Sequence, residues 1–173
     1  MNKTHIEMLR FMVEQDLDLV RHWRNHDAVN RFMFDRGLIC AENHRQWFDR
    51  AKNDTARDLF IFEIDEIPQG FAQIVYAPGN SVAEWGFYAA PNAPKGTGEK
   101  MLRRVLKYVF EEKGAFKVYG QVLGFNEPSL RLHKKLGFKL EGVLRRHHYD
   151  GNSASDIYCF GMLSFEWRNE EKL

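Results

Sequence analysis

The sequence predicts a mixed α/β fold. Three observations carry that reading. Apolar residues recur at helical spacing through much of 16–53, and over 59–88 the period becomes that of strands. From residue 98 onward helical and extended segments alternate, and Gly114 and Gly137 stop the helical ones. With 44% hydrophobic residues and 14 Phe, 4 Trp and 6 Tyr, the chain can build a core and still line a pocket with rings. A disordered chain is too poor in apolar residues to look like this.

Residues 6–12 alternate imperfectly and predict a first strand. Asp16 stands at the N-cap position of a helix running to Asn25, with Leu17, Val20 and Trp23 or Arg24 on successive turns. A short helical stretch over 27–33 follows, then a helix over 41–53 whose apolar stripe is Trp47, Phe48 and Ala51. Strands are predicted over 59–64, 70–77 and 82–88, with Pro78-Gly79-Asn80 as one turn. Two tight connections between three strands imply an antiparallel meander. A helix over 98–112, a strand over 116–123, a short helix over 126–136 and strands over 138–148 and 157–165 complete the chain, with a loop at 150–155. The crossover helices lie in the second half of this mixed sheet. At 173 residues, with no linker, repeat or low-complexity segment, the expectation is one domain over 1–173.

Lys and Arg total 25 against 24 Asp and Glu, a net charge of +1. That balance argues against a general nucleic-acid binder, which carries a basic excess. The longest uncharged run, Ile67–Ala83, is broken by Pro68, Gly70, Pro78 and Gly79 and cannot span a membrane as a helix. The first residues lack a signal-peptide layout. Cys40 and Cys159 are the only cysteines and form no CxxC pair, so a disulfide framework or zinc ribbon is not expected. The expected setting is reduced and cytoplasmic.

The strongest local signal is PNAPKGTGEKMLRRVL. A strand ends near Tyr88, and Lys95-Gly96-Thr97-Gly98 turns into a helix. Glycines let backbone N–H groups converge, and a helix N-terminus adds positive dipole, which suits a phosphate or pyrophosphate. An ordinary glycine turn before a helix reads the same way. The P-loop pattern is absent, and a dinucleotide fingerprint would need glycine at Met101.

A second signal is VLGFNEPSLRLHKKLGF. Asn126, Ser129, Leu132, His133, Lys135, Gly137 and Phe138 follow the pattern N-x-x-[A/S]-x-x-[L/F]-[Y/H]-x-K-x-G-F. With Ala93-Pro-Lys-Gly-Thr-Gly98, which matches [Q/R]-x-x-G-x-[G/A] except at its first position, the chain resembles the GCN5-related N-acetyltransferase superfamily. The resemblance implies a mostly antiparallel seven-stranded sheet, splayed into a V after strand 4 and flanked by about four helices. It also implies an acetyltransferase that uses acetyl-CoA and no metal, with a coenzyme core over 81–148 and acceptor-binding helices over 16–53. Carried over residue by residue, the coenzyme contacts are Phe87, Tyr88, Ala90, Lys95, Gly96, Thr97, Gly98, Glu99, Asn126, Ser129 and Lys135. Because Ala93 replaces the usual Gln or Arg, one side-chain contact to the pyrophosphate is missing and the backbone donors remain.

The first half, which builds the acceptor site in this superfamily, resembles one branch through Trp23-Arg24-Asn25, Met33-Phe34, His44 and Trp47. Those enzymes acetylate the 4-amino group of a UDP-linked dideoxy sugar in pseudaminic acid biosynthesis, which feeds flagellin glycosylation. The implied acceptor contacts are Arg24, Asn25, Met33, Phe34, His44, Trp47 and Gln121. Arg24 and His44 would meet the nucleotide, and Met33, Phe34 and Trp47 would wall in methyl and N-acetyl groups. Several of these aromatics also read as plain helix faces. The WRN and H-x-x-W patterns occur equally in enzymes that acetylate protein N-termini, so that acceptor stays open, as does a non-catalytic CoA-binding member. A small-molecule acceptor is expected, with no nucleic-acid or membrane partner; homodimerisation is left open.

Transfer is expected to be direct, in a ternary complex. His133 stands where relatives place a tyrosine that protonates the departing thiolate, and is the candidate acid; the alternative is a packing histidine. Glu84 is the candidate base, alone or through water; the alternative is a surface carboxylate paired across the sheet. The Tyr88 N–H is the candidate oxyanion donor. His22 and His26 lack a third metal ligand, and 145–148 (Arg-Arg-His-His) reads as a solvated basic edge rather than a phosphate contact.

Overall fold

The computed structural model describes residues 5–167. It holds seven strands: β1 (Glu7–Phe11), β2 (Arg57–Ile64), β3 (Ile67–Tyr76), β4 (Val82–Ala89), β5 (Lys117–Leu123), β6 (Lys139–Tyr149) and β7 (Ala154–Leu163). Their order in the sheet is β1-β2-β3-β4-β5-β7-β6. The helices are α1 (Leu17–Asn25), α2 (Asp27–Asn30), α3 (Ala41–Ala51), α4 (Thr97–Lys107) and α5 (Glu127–Lys135). The mixed α/β expectation holds. β4 and β5 are parallel and the ladders β1–β2, β2–β3, β5–β7 and β6–β7 are antiparallel. A parallel pair requires a crossover, which is what α4 provides. The β4–β5 ladder is short, from Val82↔Lys117 to Glu84↔Tyr119, at the strand where the family resemblance puts a split. Among the described residues no helix is long and apolar enough to cross a membrane.

The chain divides into two compact units. The first comprises the residues up to Val75 together with Gly86–Val105. α1 buries Leu17, Val20 and Trp23, and α3 buries His44, Phe48 and Ala51; both sets recur every three or four residues. These faces meet Met12, Leu59, Ile61 and Phe71, with Trp47, Tyr88 and Ala90 against the cluster. The β2–β3 hairpin is tighter than the spacing predicts. Asp65 and Glu66 both adopt positive φ, 51° and 65°, the geometry of a two-residue turn that Asn-Gly usually signals. β3 therefore starts at Ile67 and admits Pro68 opposite Glu63, where a bulge interrupts the ladder. Gly70 is required for close packing: a Cβ there would lie 2.8 Å from the Met101 sulfur of α4 and 3.2 Å from the Tyr88 carbonyl.

Asp16 departs from its expected role. It does not cap α1; its backbone is helical and its carboxylate turns back. Arg10 donates from Nη1 and Nη2 to Asp16 at 2.7 and 2.8 Å, and from Nε to Glu63 at 2.7 Å. The Val13 N–H adds a bond to Asp16 at 2.8 Å. Both carboxylates are buried, 6% and 7% exposed. Burial pushes the Asp16 carboxyl up, but the Arg10 fork and the Val13 N–H outweigh it and hold it below the usual carboxylate value. The fork joins β1 and β2 to the residue before α1.

The second unit comprises Tyr76–Trp85 and the chain from Leu106 onward. The long helix expected over 98–112 is α-helical only to Lys107; Tyr108–Glu112 widen into a π turn closed by Lys113 N–H to Tyr108 O at 3.0 Å. Val118, Val122, Ile157, Phe160 and Met162 face one core with Trp85, Val109, Leu136 and Phe138. Gly120 lets Trp85 lie flat on β5, since a Cβ would sit 2.5 Å from its indole nitrogen.

Arg10→Ala leaves two buried carboxylates without a cation and is expected to cost about 3–5 kcal/mol, the usual loss when one partner of a buried pair is removed. Urea unfolding of wild type and variant measures it, and a loss below ~1 kcal/mol contradicts the assignment.

Candidate active site

The first unit contains a cavity of about 360 Å³ lined by Arg24, Met33, Ile39, Asn43, His44, Trp47, Phe71, Gln73, Gly86, Phe87 and Tyr88. Its lid segment is fixed by Asn25. That side chain donates to the Ile39 carbonyl at 2.8 Å and accepts from the Ile39 N–H at 2.9 Å. Its amide is thus committed to the backbone, and its place is as a staple for 31–40 rather than as the acceptor contact expected of it. Met33 and Ile39 reach the cavity; Phe34 is 45% exposed and does not line it. Cys40 ends the segment by accepting the Asn43 N–H at its sulfur, which caps α3. α3 then presents His44 and Trp47, stacked at 5.1 Å and 12°.

Three ionisable side chains line the cavity among the described residues, Arg24, His44 and Tyr88, and none is a carboxylate. Arg24 donates from Nη2 to the Asp35 carbonyl, while Nη1 is buried without a partner. Burial pulls its pKa down, against the pull of Tyr88 and Asp35. His44 is 5% exposed. Burial and then Arg21 lower its pKa, opposed by a hydrogen bond to the Leu17 backbone and by Asp18. Its Nδ1 is buried with no hydrogen-bond partner. Tyr88 is pushed up by burial, only partly offset by Arg24, and stays protonated at neutral pH. Its hydroxyl lies 3.5 Å from the Val20 carbonyl, at the outer limit of a hydrogen bond. Gln73, Asn43, Ile39 and Phe71 line the cavity without having been anticipated. The first three are polar or apolar residues outside any motif, and Phe71 reads as core.

The 93–98 turn also lies in the first unit. The Thr97 N–H and hydroxyl both donate to the Pro94 carbonyl, at 3.1 and 2.7 Å, so Thr97 is spent on the turn itself. Gly96 has φ +91° and open space where a Cβ would stand. Glycine is required there by conformation, and the vacant side leaves room for a ligand. Lys95 is exposed. Glu99 pairs with Arg103 at 3.1 Å along α4, which leaves its backbone rather than its carboxylate as a contact for a phosphate. The Ala90 N–H is donated to Gln69 O at 2.8 Å and is therefore occupied by the sheet.

The second unit carries the other expected residues. Asn126 caps α5 by accepting the Ser129 N–H at 3.3 Å. Lys135 is exposed in the last turn of α5, and Gln121 is exposed on β5. His133 is 1% exposed. Its Nδ1–H donates to the Ser129 carbonyl at 2.8 Å, and its Nε2 accepts the Trp85 indole N–H at 3.2 Å. Phe138 and Phe160 pack on its ring. Burial lowers its pKa against the Ser129 bond. Both nitrogens are engaged and the ring is neutral, so this placement gives no proton to a thiolate; the acid role expected from the motif is corrected to a packing role. The motif fixes the residue type but not the direction in which the ring points. Glu84 is exposed and accepts the Tyr119 hydroxyl at 3.1 Å, the cross-sheet pairing weighed against a base. His26 accepts the Ala28 N–H at 3.2 Å and caps α2. Among the described residues no cluster of His, Cys, Asp and Glu is arranged to hold a metal ion.

His44 and His133 are neutral when folded, so the unfolded chain takes up protons first as pH falls. Their contribution to stability is complete above about pH 6.5 and is lost as pH falls through that value toward the lowered folded ones, at up to about 1.4 kcal/mol per pH unit per histidine. Asp16, also held low, acts in a separate window below about pH 3.9. Urea unfolding between pH 7.5 and 5 measures the histidine window; stability that is flat or rises on acidification contradicts it.

Residues 8–139 match the family described as acetyltransferase (GNAT) domain. The SPbeta prophage-derived uncharacterized N-acetyltransferase YokL of Bacillus subtilis is 32% identical over 147 residues, 83% of this chain and 79% of that protein. Acetyltransferase PseH of Campylobacter jejuni is 29% identical over 126 residues, 73% of this chain and 78% of that one. A crystal structure of spermidine N-acetyltransferase from Vibrio cholerae in complex with CoA and spermine superposes with a TM-score of 0.88 over 94% of this chain and 98% of that one; at 20% identity it speaks to the fold. The fold, the paired motifs and the match across most of the chain place this protein in the GNAT family of acetyl-transferring enzymes.

Proposed function

We propose that the enzyme transfers acetyl from acetyl-CoA to the amine of a nucleotide-linked sugar, a UDP-4-amino-4,6-dideoxy sugar. The observation that carries this is the charge of the cavity: one half-buried guanidinium, apolar walls from Met33, Ile39, Trp47 and Phe71, and no carboxylate among the described lining residues. A polyamine would meet Arg24 with like charge and find no anion. A diphosphate suits a guanidinium fork, and a 6-deoxy sugar exposes a methyl group for the apolar wall. The volume, about 360 Å³, lies in the range of small-molecule sites, roughly 300–1,000 Å³.

The 93–98 turn fits a pyrophosphate: Gly96 leaves open space and α4 begins there with its positive end. Lys95, Gly96, Thr97, Gly98 and the Glu99 backbone would hold the pyrophosphate of coenzyme A, with Phe87 and Tyr88 on β4 of the same unit as further contacts. When bound, acetyl-CoA supplies the activated acetyl thioester. Arg24 orients the acceptor, the apolar wall excludes water from its amine, and the Tyr88 N–H is the donor for charge that develops on the acyl oxygen.

Turnover of a panel of UDP-4-amino sugars, spermidine and an N-terminal peptide tests the acceptor. A UDP-sugar is expected to be preferred; preference for spermidine or the peptide overturns the reading. Arg24→Ala is expected to raise the acceptor KM about 10–150-fold, equal to the roughly 1.5–3 kcal/mol of a charged hydrogen bond, with the acetyl-CoA KM little changed. Gly96→Val is expected to do the reverse, and unchanged acetyl-CoA affinity by calorimetry contradicts the loop assignment.

A further inference from the structure

We propose that His44 is the general base of the transfer, taking the proton that the acceptor amine loses as its bond to the acetyl carbon forms. Three features of the first unit support this. His44 lines the cavity. Its ring is held on Trp47 at 5.1 Å in a near-parallel stack. Its Nδ1 is buried with no hydrogen-bond partner. A buried ring nitrogen left unpaired costs free energy, so its presence in a residue that lines the cavity is accounted for by a donor from the substrate.

Elimination points the same way. Arg24 cannot accept a proton, and Tyr88 is kept protonated by burial. Glu84, the base expected from the sequence, is exposed and bonded to Tyr119. The charged groups around the ring are Arg21 and Asp18 of α1, on opposite sides of the balance, with Arg24 across the cavity. Burial and Arg21 keep the ring neutral and ready to accept, and make the imidazolium quick to shed its proton to water.

The step balances. The amine lone pair forms the N–C bond, the C–S bond breaks with its electrons on sulfur, the N–H proton passes to Nδ1, and solvent protonates the thiolate. The inference rests on the cavity being the acceptor site, not on the acceptor being a nucleotide sugar.

Two measurements test it. Long-range proton–nitrogen NMR of the wild-type protein without substrates is expected to show His44 protonated at Nε2 and bare at Nδ1 at pH 7.5; the opposite tautomer overturns the proposal. The kcat–pH profile is then taken with whichever of UDP-4-amino sugar, N-terminal peptide or spermidine is turned over best. The wild type is expected to show an acid limb below about pH 6.5. His44→Gln, which keeps a polar side chain of similar size, is expected to lose that limb and about 10²–10⁴-fold in kcat, with acceptor KM changed far less. A variant within a few-fold in kcat, or a loss confined to KM, overturns the base. If the variant does not fold, a wild-type profile with no acid limb does the same. Which acceptor is used tests the substrate reading; the limb and the tautomer test this one.

Discussion

The Arg10 fork is the constraint on which the first unit turns. Its two bonds to Asp16 and one to Glu63 neutralise two buried carboxylates and fix where α1 begins relative to β1 and β2. The next residue, Leu17, packs in the core that α1 and α3 share. One turn later Val20 packs in the core with its carbonyl near the Tyr88 hydroxyl, and one turn beyond that Arg24 enters the cavity. The ion cluster thus fixes the start of the helix that brings Arg24 into the cavity lining. Such clusters contribute little net stability over an apolar alternative, yet removing one member is costly. Here its consequence is positional.

The selectivity proposed for the cavity rests on what its described lining omits. A wall of Met33, Ile39, Trp47 and Phe71 accepts apolar groups of many shapes. The electrostatics are more discriminating. One cation, a neutral imidazole and a protonated phenol make a site that tolerates negative charge and disfavours positive charge.

Much of this was legible in the sequence, because local chemistry carried it. All seven strands were foreseen from periodicity, and the 93–98 turn from its glycines. The β2–β3 turn was read too long because Asp65-Glu66 lacks the Asn-Gly signature, and the left-handed backbone there is imposed by the strands it joins. Asp16 has the composition of a cap, but a buried arginine contributed by β1 outbids the helix end for its carboxylate. His133 matches its motif, yet its ring direction depends on Trp85 and Ser129, partners that sequence spacing does not reveal. Asn25 failed in the same way. Of the residues that line the cavity, Arg24, Met33, His44 and Trp47 are singled out in the sequence, while Gln73 lies outside any motif and Phe71 reads as core.

The central claim is that the cavity prefers an anionic ligand to a cationic one. Calorimetric titration of the wild-type protein with UDP and, separately, with spermine tests it without depending on turnover. The account predicts that UDP binds, that its affinity falls with added salt and in Arg24→Ala, and that spermine gives no saturable heat. Saturable spermine binding that is lost in Trp47→Ala, with no binding of UDP, would contradict it.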